Sequence, residues 1–372
     1  MFLGDMSKRN RLLIGIIFLV GLLFLTYFTV RAYRLITTPL SQQPIHYLFE
    51  PGTSVRRLAA DLQQRHLFES PRLFLLLAYL KGAADQLKAG EYYFDSGITA
   101  SQLLDQMRAG QVIVHRFTIV EGWTLQQLIK ALHTSSYIQY SSQERLSQLF
   151  VNSGLPRQNP EGLFFPATYY FSGQTTDSDL LKRAHQLLDK KLNGAWQQRA
   201  DHLPYKTPYQ GLIAASLVEK ETALPKERPM IAGVIARRLE KGIPLQIDAT
   251  VIYGLGSAYF GKLTSDDLKK DTPYNTYTRR GLPPTPIAMP SLNAIEAVFH
   301  PDQSQNLYFV AKGDGSHQFS SDLIQHNEAV KRYQLDRHYP NIFPKRLRCE
   351  SQWYLSKKLK SFFCQLEVFC YK

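Results

Sequence analysis

The longest apolar stretch of the chain lies close to its beginning. Leu12 to Val30 is a run of 19 residues without a charged side chain. As an α-helix this run is about 28 Å long, close to the roughly 30 Å of bilayer hydrocarbon. A signal peptide usually has a shorter apolar region followed by an Ala-x-Ala site, and neither is found here. The pattern therefore predicts a retained transmembrane helix at residues 12–30.

The basic residues around this run predict its orientation. Three lie before it, within residues 1–11, and two follow it, Arg31 and Arg34. Since positive charge favours the cytosolic side, this narrow excess predicts a cytosolic stub at 1–11 and a body outside the cytosol. Residues 31–44 end in the polar, proline-bearing segment TTPLSQQP, which we interpret as a linker.

A spaced pattern recurs three times in residues 45–150. It consists of a glycine, Ser or Thr two residues later, and Leu or Met at the sixth and tenth positions after the glycine. The copies are Gly52, Ser54, Leu58, Leu62; Gly97, Thr99, Leu103, Met107; and Gly122, Thr124, Leu128, Leu132. Each copy predicts a turn, a hydroxyl N-cap and a helix with one buried face.

Strand-like runs at residues 91–94 and 112–120 precede two of the copies, so residues 45–150 are expected to form a small strand and helix module. Ordinary helix capping explains the pattern without any ligand. Alternatively, the segment PGTSVRRLAADL resembles the LysM fold, a small module that binds polymers of N-acetylated sugars. Both interpretations remain open on the sequence alone.

The pattern of apolar and polar residues changes in residues 155–340. Glu161 to Pro166 is a compact aromatic turn, residues 179–198 and 209–222 have helical patterns, and two strand-like runs at 307–312 and 317–320 flank a glycine-rich turn. Mixed helices and short antiparallel strands predict an α+β fold. The expected architecture is thus a transmembrane helix, a LysM-like strand and helix module, and a mixed α+β catalytic domain.

Charge and cysteine content exclude several classes of protein. The net charge of +13 is concentrated near the two ends of the chain, so no basic stripe for a phosphate backbone is visible and nucleic acid is not an expected partner. All three cysteines, Cys349, Cys364 and Cys370, lie in the basic tail at 341–372, whose role is unknown. The body therefore contains neither a disulfide framework nor a thiolate metal site.

The segment GLIAASLVEKETALPKE, from Gly211 to Glu227, is almost wholly small or apolar until it reaches Glu219, Lys220 and Glu221. On a helix, two residues two positions apart point about 200° apart, so Glu219 and Glu221 cannot share one site. Glu221 continues the apolar stripe, where desolvation would raise the pKa of its carboxyl and suit it to donate a proton. A solvated helix end, balanced by lysines, is the alternative.

Further along the chain, amide, hydroxyl and tyrosine side chains are dense. Such groups suit the hydroxyls, N-acetyl groups and apolar faces of sugars, although each residue taken alone could be structural. The candidate substrate-binding residues, with Glu219 in a supporting role, are Glu219, Gln246, Asp248, Thr250, Tyr253, Tyr274, Asn275, Thr276, Tyr277 and His317.

The ordered motifs VEKETA, LQIDATVIYG, YNTY, GLPPTPIAMP, HPDQSQNLYFVA, GSHQF and HN resemble those of the MltG, or YceG-like, endolytic murein transglycosylases. The resemblance covers about residues 45–335. It implies that Glu221 is the catalytic acid and base, that no cofactor is needed, and that the substrate is the glycan strand of peptidoglycan. It also includes the N-terminal anchor and a LysM-like module. Because an enzyme tethered to the inner membrane would reach strands near their site of synthesis, we expect it to lie near peptidoglycan synthases and to end nascent strands.

The sequence departs from the usual pattern of that family at four positions. An acid is common where Ala167 stands, Asn where Arg237 stands, Pro where Ala249 stands and Gly where Thr285 stands. None of them touches the Glu221 segment, so they bear on the binding of the substrate rather than on its cleavage.

Two other functions are compatible with the same residues. In a muramidase that works like lysozyme, Asp248 would pair with Glu221 and water would be the nucleophile. In a scaffold, the chain would bind peptidoglycan without turnover. A metal site built from His300, His317 and His326 is disfavoured, because their spacing matches no compact ligand motif.

Overall fold

The computed structural model of the chain describes residues 8–140 and 160–335. It divides into two compact units, Met1–Arg116 with Tyr170–Thr175, and Phe117–Tyr169 with Thr176–Lys372. Both mix helices with short strands, as predicted for an α+β fold. The tail at 341–372 and its three cysteines lie outside the described residues.

The first unit begins with a long apolar helix, which is followed by alternating strands and helices. In chain order the elements are α1 (Lys8–Thr37), β1 (Ile45–Phe49), α2 (Val55–Gln64), α3 (Pro71–Leu80), β2 (Gly90–Phe94) and α4 (Ala100–Ala109). The Leu12–Thr37 part of α1 is long and apolar enough to cross a membrane. The helix continues to Thr37, so the first seven residues of the predicted linker are helical.

The core of the first unit lies between a two-stranded sheet and its helices. Strands β1 and β2 pair antiparallel with Ile45 opposite Phe94, and alternate residues of each strand are buried. Leu58 and Leu62 of α2 and Leu103 and Met107 of α4 are fully buried against them. These four are the leucine and methionine positions of the first two copies of the repeated pattern.

The repeated pattern forms the capped helices that it predicts. Ser54, Thr99 and Thr124 are N-caps, and each side-chain oxygen accepts a hydrogen bond from the backbone N–H three residues later. The preceding glycines have φ values of +81°, +85° and +76°, which only glycine adopts without strain. The third copy belongs to the second unit, which starts at Phe117, so the extent of a LysM-like module stays a prediction.

Strands β3 (His115–Thr118) and β5 (Thr168–Phe171) pair with each other, and β4 (Ile138–Gln139) and β6 (Thr175–Thr176) are two-residue strands. The second unit contains α5 (Leu125–Thr134), α6 (Asp177–Gln197), α7 (Pro208–Glu221), α8 (Arg228–Glu240), α9 (Asp248–Leu255), α10 (Ser265–Lys269), α11 (Leu292–Phe299) and α12 (Leu323–Val330), with the hairpin β7 (Tyr308–Ala311) and β8 (His317–Ser320). The predicted helices at 179–198 and 209–222 and the hairpin are confirmed within one or two residues.

Helix α7 is the central element of the second unit. Every residue from Gly211 to Val218 is buried, and the helix packs against α6, α8, α9 and α11. Small residues on α7 allow these neighbours to approach closely. A Cβ placed on Gly211 would lie 2.3 Å from Cε1 of Phe299 on α11, well inside van der Waals contact.

The helix predicted at residues 209–222 ends beside a proline-bearing turn. It stops at Glu221, and a 3-10 turn at Pro225–Glu227 leads into α8. Pro225 prevents the helix from continuing, because its ring would clash with the carbonyl of Glu221 four residues earlier, and it has no N–H to donate. Glu221 is therefore the last residue of a buried helix.

We expect Gly211→Ala to destabilise the second unit by about 1–3 kcal/mol, since the added methyl group must displace the Phe299 ring. Gly194→Ala on α6 is the matched control, because a Cβ there meets no atom within 4 Å. The control should raise stability slightly through helix propensity. Thermal unfolding of the full chain in detergent measures both changes, and equal melting temperatures for the two variants would contradict the packing described.

Candidate active site

A cleft of about 490 Å³ opens at the end of α7. Its lining combines the carboxylates of Glu221 and Asp248 with other polar groups and an apolar wall from β7. The other polar groups include Gln246, Arg238 and His317, and the wall includes Phe309. Four of the sequence-predicted site residues, Glu221, Gln246, Asp248 and His317, therefore line one cleft of the second unit.

Asp248 is held by a tyrosine on the following loop. The Tyr277 hydroxyl donates a hydrogen bond of 2.5 Å to Oδ1 of Asp248. Burial raises the pKa of Tyr277 well above its usual range, and the charge and hydrogen bond of Asp248 and then the charge of Glu221 raise it further. Tyr277 therefore stays protonated as a donor, close enough to feel both carboxylates.

His317 is oriented by a buried carboxylate. Glu227 accepts hydrogen bonds from the His317 ring, with Nδ1 2.8 Å from Oε2, and from the His317 backbone N–H at 2.9 Å. Burial by itself would raise the pKa of Glu227, but the hydrogen bonds and charge of His317, with a hydrogen bond from Thr222, lower it overall. The ring is thus held in one orientation at the cleft, with its edge against Phe309.

Arg238 fixes the segment that carries Gln246. Its guanidinium donates to the carbonyls of Pro244 and Leu245 at 3.0 Å, to Oε1 of Gln246 at 3.1 Å and to the carbonyl of Leu307 at 2.7 Å. Gln246 has a positive φ of 57°, an uncommon conformation for this residue type. Arg238 stabilises this turn and joins it to the start of the β7–β8 hairpin.

Glu219 points away from the cleft, as the helix geometry requires. Its carboxylate forms a buried ion pair with Arg228 at 3.0 Å and accepts hydrogen bonds from the N–H and hydroxyl of Ser291. Because both charged side chains are almost fully buried, this pair joins α7, α8 and the start of α11. The structure thus gives Glu219 a supporting role and no contact with the cleft.

The buried candidates hydrogen-bond to the protein itself. Thr250 and Thr276 share a hydrogen bond of 2.9 Å and also bind the backbone of Ile247, which precedes Asp248. The amide of Asn275 donates to the carbonyls of Leu268 and Lys270, and its oxygen accepts from the backbone N–H of Tyr277. These three residues position Asp248 and Tyr277.

One of the two remaining tyrosines, Tyr253, binds a buried acid. Tyr253 and Tyr274 have ring centroids 4.8 Å apart, and the Tyr253 hydroxyl donates to Oε2 of Glu161 at 3.0 Å. The other oxygen of Glu161 accepts from the backbone N–H of Leu125, at the start of α5. Burial raises the pKa of Glu161 to about 7, despite these hydrogen bonds and the charge of Lys220, which act to lower it.

Three of the four departures from the family pattern have structural partners. Arg237 pairs with Asp302 at 3.1 Å and binds the carbonyl of Asn306, Thr285 shares a hydrogen bond of 2.9 Å with Tyr274, and the carbonyl of Ala167 accepts from Ile119. Ala249 lines the cleft. The smaller Ala249 side chain is thus the departure best placed to affect a bound substrate.

The likeness to known proteins extends well beyond the residues of the cleft. A model of the YceG-like family matches residues 48–332. The chain belongs to the YceG-like family. Its relatives include bacterial proteins named endolytic murein transglycosylase. The one from Bacillus subtilis strain 168 is 29% identical over 316 residues, covering 79% of this chain and 86% of the relative.

The second relative, from Streptococcus pneumoniae D39, is 29% identical over 314 residues, covering 75% of this chain and 56% of the relative. A 2.6 Å crystal structure of a putative YceG-like protein from Listeria monocytogenes is 27% identical. It covers 78% of this chain and 100% of that one, with a TM-score of 0.48.

Sequence reasoning did not single out Arg238, Glu227 or Glu161. The partners of Arg238 and Glu227 lie as far as 69 and 90 positions away along the chain, which no local pattern reveals. Glu161 stands directly before the apolar turn Gly162–Pro166, and an acid beside so many buried residues is a usable signal, since a buried carboxylate needs partners.

We expect the stability of the second unit to fall as pH rises between about 4.5 and 7. The pKa of Glu161 is about 7 in the folded chain against 4.5 for the free side chain, so the folded state binds more protons in that interval. The loss amounts to about 3 kcal/mol and is complete above pH 7.

Glu161→Gln mimics the protonated acid and should remove this pH dependence. Glu240→Gln, an exposed glutamate at the end of α8, should retain it. Tryptophan fluorescence during thermal unfolding reports on the second unit, which contains Trp123 and Trp196. The same pH slope in both variants would show that Glu161 is not its source.

Proposed function

We propose that the chain is an endolytic lytic transglycosylase of peptidoglycan with Glu221 as its single catalytic acid and base. One observation carries the proposal: the buried helix α7 delivers Glu221 at its last residue to a polar cleft. Membership in a family whose relatives are named endolytic murein transglycosylase supports the choice of substrate.

In the proposed reaction, Glu221 first protonates the oxygen between N-acetylmuramic acid and N-acetylglucosamine. The C6 hydroxyl of the muramyl sugar then attacks C1, and Glu221 accepts its proton. The glycosidic bond breaks, a bond from C1 to O6 forms, and the product ends in a 1,6-anhydro ring. No water is consumed, because the nucleophile belongs to the substrate and gains from its proximity to C1.

The groups around Glu221 have chemistry that suits a sugar polymer. Gln246 presents an amide, the oriented His317 presents an imidazole and Phe309 presents an aromatic face. Amides and imidazoles hydrogen-bond N-acetyl groups and hydroxyls, while aromatic rings pack on the apolar faces of sugars. We assign these three residues to substrate binding.

A muramidase is the second candidate, because Asp248 lines the same cleft as Glu221. A hydrolase of this kind needs a second carboxylate to act as nucleophile or to activate water. In the proposed transglycosylase, Asp248 instead accepts a hydrogen bond from the Tyr277 hydroxyl and takes no part in bond cleavage. The products distinguish the two reactions.

We further propose that α1 crosses the inner membrane once, with residues 1–11 in the cytosol and the body in the periplasm. The apolar length of α1 and the basic residues before it support this arrangement. An enzyme anchored in the inner membrane would meet glycan strands near their site of synthesis, beside peptidoglycan synthases. Its role would therefore be to end strand elongation. The LysM-like module at residues 45–150 would hold the strand.

Glu221→Gln should reduce strand cleavage about 10²–10⁴-fold while leaving the fold and strand binding intact, because the amide keeps the shape and loses the transferable proton. Rates come from chromatography of purified glycan strands incubated with the full chain in detergent. Glu240→Gln is the matched control and should cleave at the original rate. A Glu221→Gln variant that still shortens strands would exclude the assignment, and a scaffold would bind strands without shortening them at all.

The new ends should be one water lighter than ordinary reducing ends. Mass spectrometry of strands cut by the full chain measures this directly. Ordinary reducing ends would instead identify a muramidase. The Asp248→Asn variant of a muramidase should not cleave strands at all, whereas the same variant of a transglycosylase should lose only part of its cleavage rate.

A further inference from the structure

The end of α1 is built into the core of the first unit. Leu35, in its last turn, and Leu40, just after it, pack against the buried residues of that core. The backbone N–H of Leu40 donates to the carbonyl of Ile98 at 2.7 Å, and that of Gly97 donates to Ser41 at 2.8 Å. The first unit therefore follows the transmembrane helix directly, without a free tether between them.

An ion pair joins α1 to the start of α3. Nη2 of Arg31 lies 2.6 Å from Oε2 of Glu69, the second residue before α3 begins at Pro71, and α3 itself contacts α1. If residues 12–30 fill the hydrocarbon of the bilayer, Arg31 stands at its boundary. The beginning of α3 is thereby placed at the same depth.

Helix α3 carries an apolar face that the first unit leaves uncovered. It buries Leu73, Phe74 and Ala78, while Leu76, Tyr79 and Leu80 are 47%, 60% and 77% exposed. Positions i, i+3 and i+4 lie on one side of a helix, so these three side chains form a single surface, which we call the α3 face. With ten residues, about 15 Å, α3 is too short to cross a membrane.

The residues around the α3 face are typical of a membrane surface. Arg72 is exposed one turn before Leu76, and on α1 the rings of Tyr27 and Tyr33 are exposed near Arg31, whose guanidinium lies over Tyr27 at 5.3 Å from its centroid. Tyrosines and basic side chains are enriched where hydrocarbon meets the head groups. These groups favour lipid over protein as the partner of the α3 face.

We propose that the α3 face lies in the interfacial layer of the bilayer that α1 crosses. The first unit is then held at two points, by a spanning helix and by a short helix lying on the surface. This inference rests on α1 crossing the membrane and is independent of the chemistry at Glu221.

The test uses the full chain with Cys349, Cys364 and Cys370 replaced by serine, in vesicles of phosphatidylethanolamine and phosphatidylglycerol. A spin label is placed at a single cysteine introduced as Leu76→Cys, Tyr79→Cys or Leu80→Cys. Ala60→Cys, on the exposed face of the equally long helix α2, is the matched control. Collisions of the label with oxygen, which concentrates in lipid, are compared with collisions with a water-soluble nickel chelate.

Labels at 76, 79 and 80 should collide more with oxygen and less with the chelate than the label at 60. Equal access of the chelate to all four positions would overturn the proposal. Protection from both reagents, with spin–spin broadening, would overturn it in favour of a second copy of the chain. Phe18→Cys tests the span separately, since a lipid-exposed label there with water-exposed labels on α3 refutes the α3 contact alone.

Discussion

Burial of helix α7 is the constraint on which the rest of the second unit depends. Its residues from Gly211 to Val218 are buried and packed against four other helices, and all charged side chains of the helix lie beyond Val218. Pro225 stops the helix at Glu221, and the two carboxylates near the stop diverge. Glu219 turns inward to Arg228 and Ser291, while Glu221 reaches the cleft. One helix end thus provides both a structural ion pair and the proposed catalytic acid.

Two other glutamates of the second unit show that hydrogen-bond partners, and not burial alone, determine the pKa of a carboxyl group. Glu161 and Glu227 are both buried glutamates in one unit, yet the pKa of Glu161 is raised to about 7 and that of Glu227 is lowered. Glu161 accepts hydrogen bonds mainly from neutral groups, a backbone N–H and a tyrosine hydroxyl, which do not offset its desolvation. Glu227 faces an imidazole that can carry positive charge. Burial of a carboxylate therefore does not predict its ionisation until its donors are known.

Patterns local in sequence predicted local structure well. The spacing from Gly52 to Leu62 and its two copies identified the turns, caps and buried faces, because each depends on residues within ten positions. The angle between Glu219 and Glu221 followed from helix geometry in the same way. In contrast, no local pattern predicted that Thr250 and Asn275, two of the candidate substrate-binding residues, would hydrogen-bond to the protein's own backbone. A sequence shows that such side chains can form hydrogen bonds, whereas the choice between ligand and protein depends on contacts tens of residues apart.

Continuity between α1 and the first unit changes what the length of that helix determines. If a flexible linker joined them, an added residue would lengthen the linker without moving the first unit. In a continuous helix, one extra residue between Val30 and Leu35 would raise the first unit by about 1.5 Å and rotate it by about 100° about the helix axis. If α1 spans the bilayer as proposed, its number of residues therefore fixes both the height of the first unit above the bilayer and the side of that unit that faces along the membrane plane.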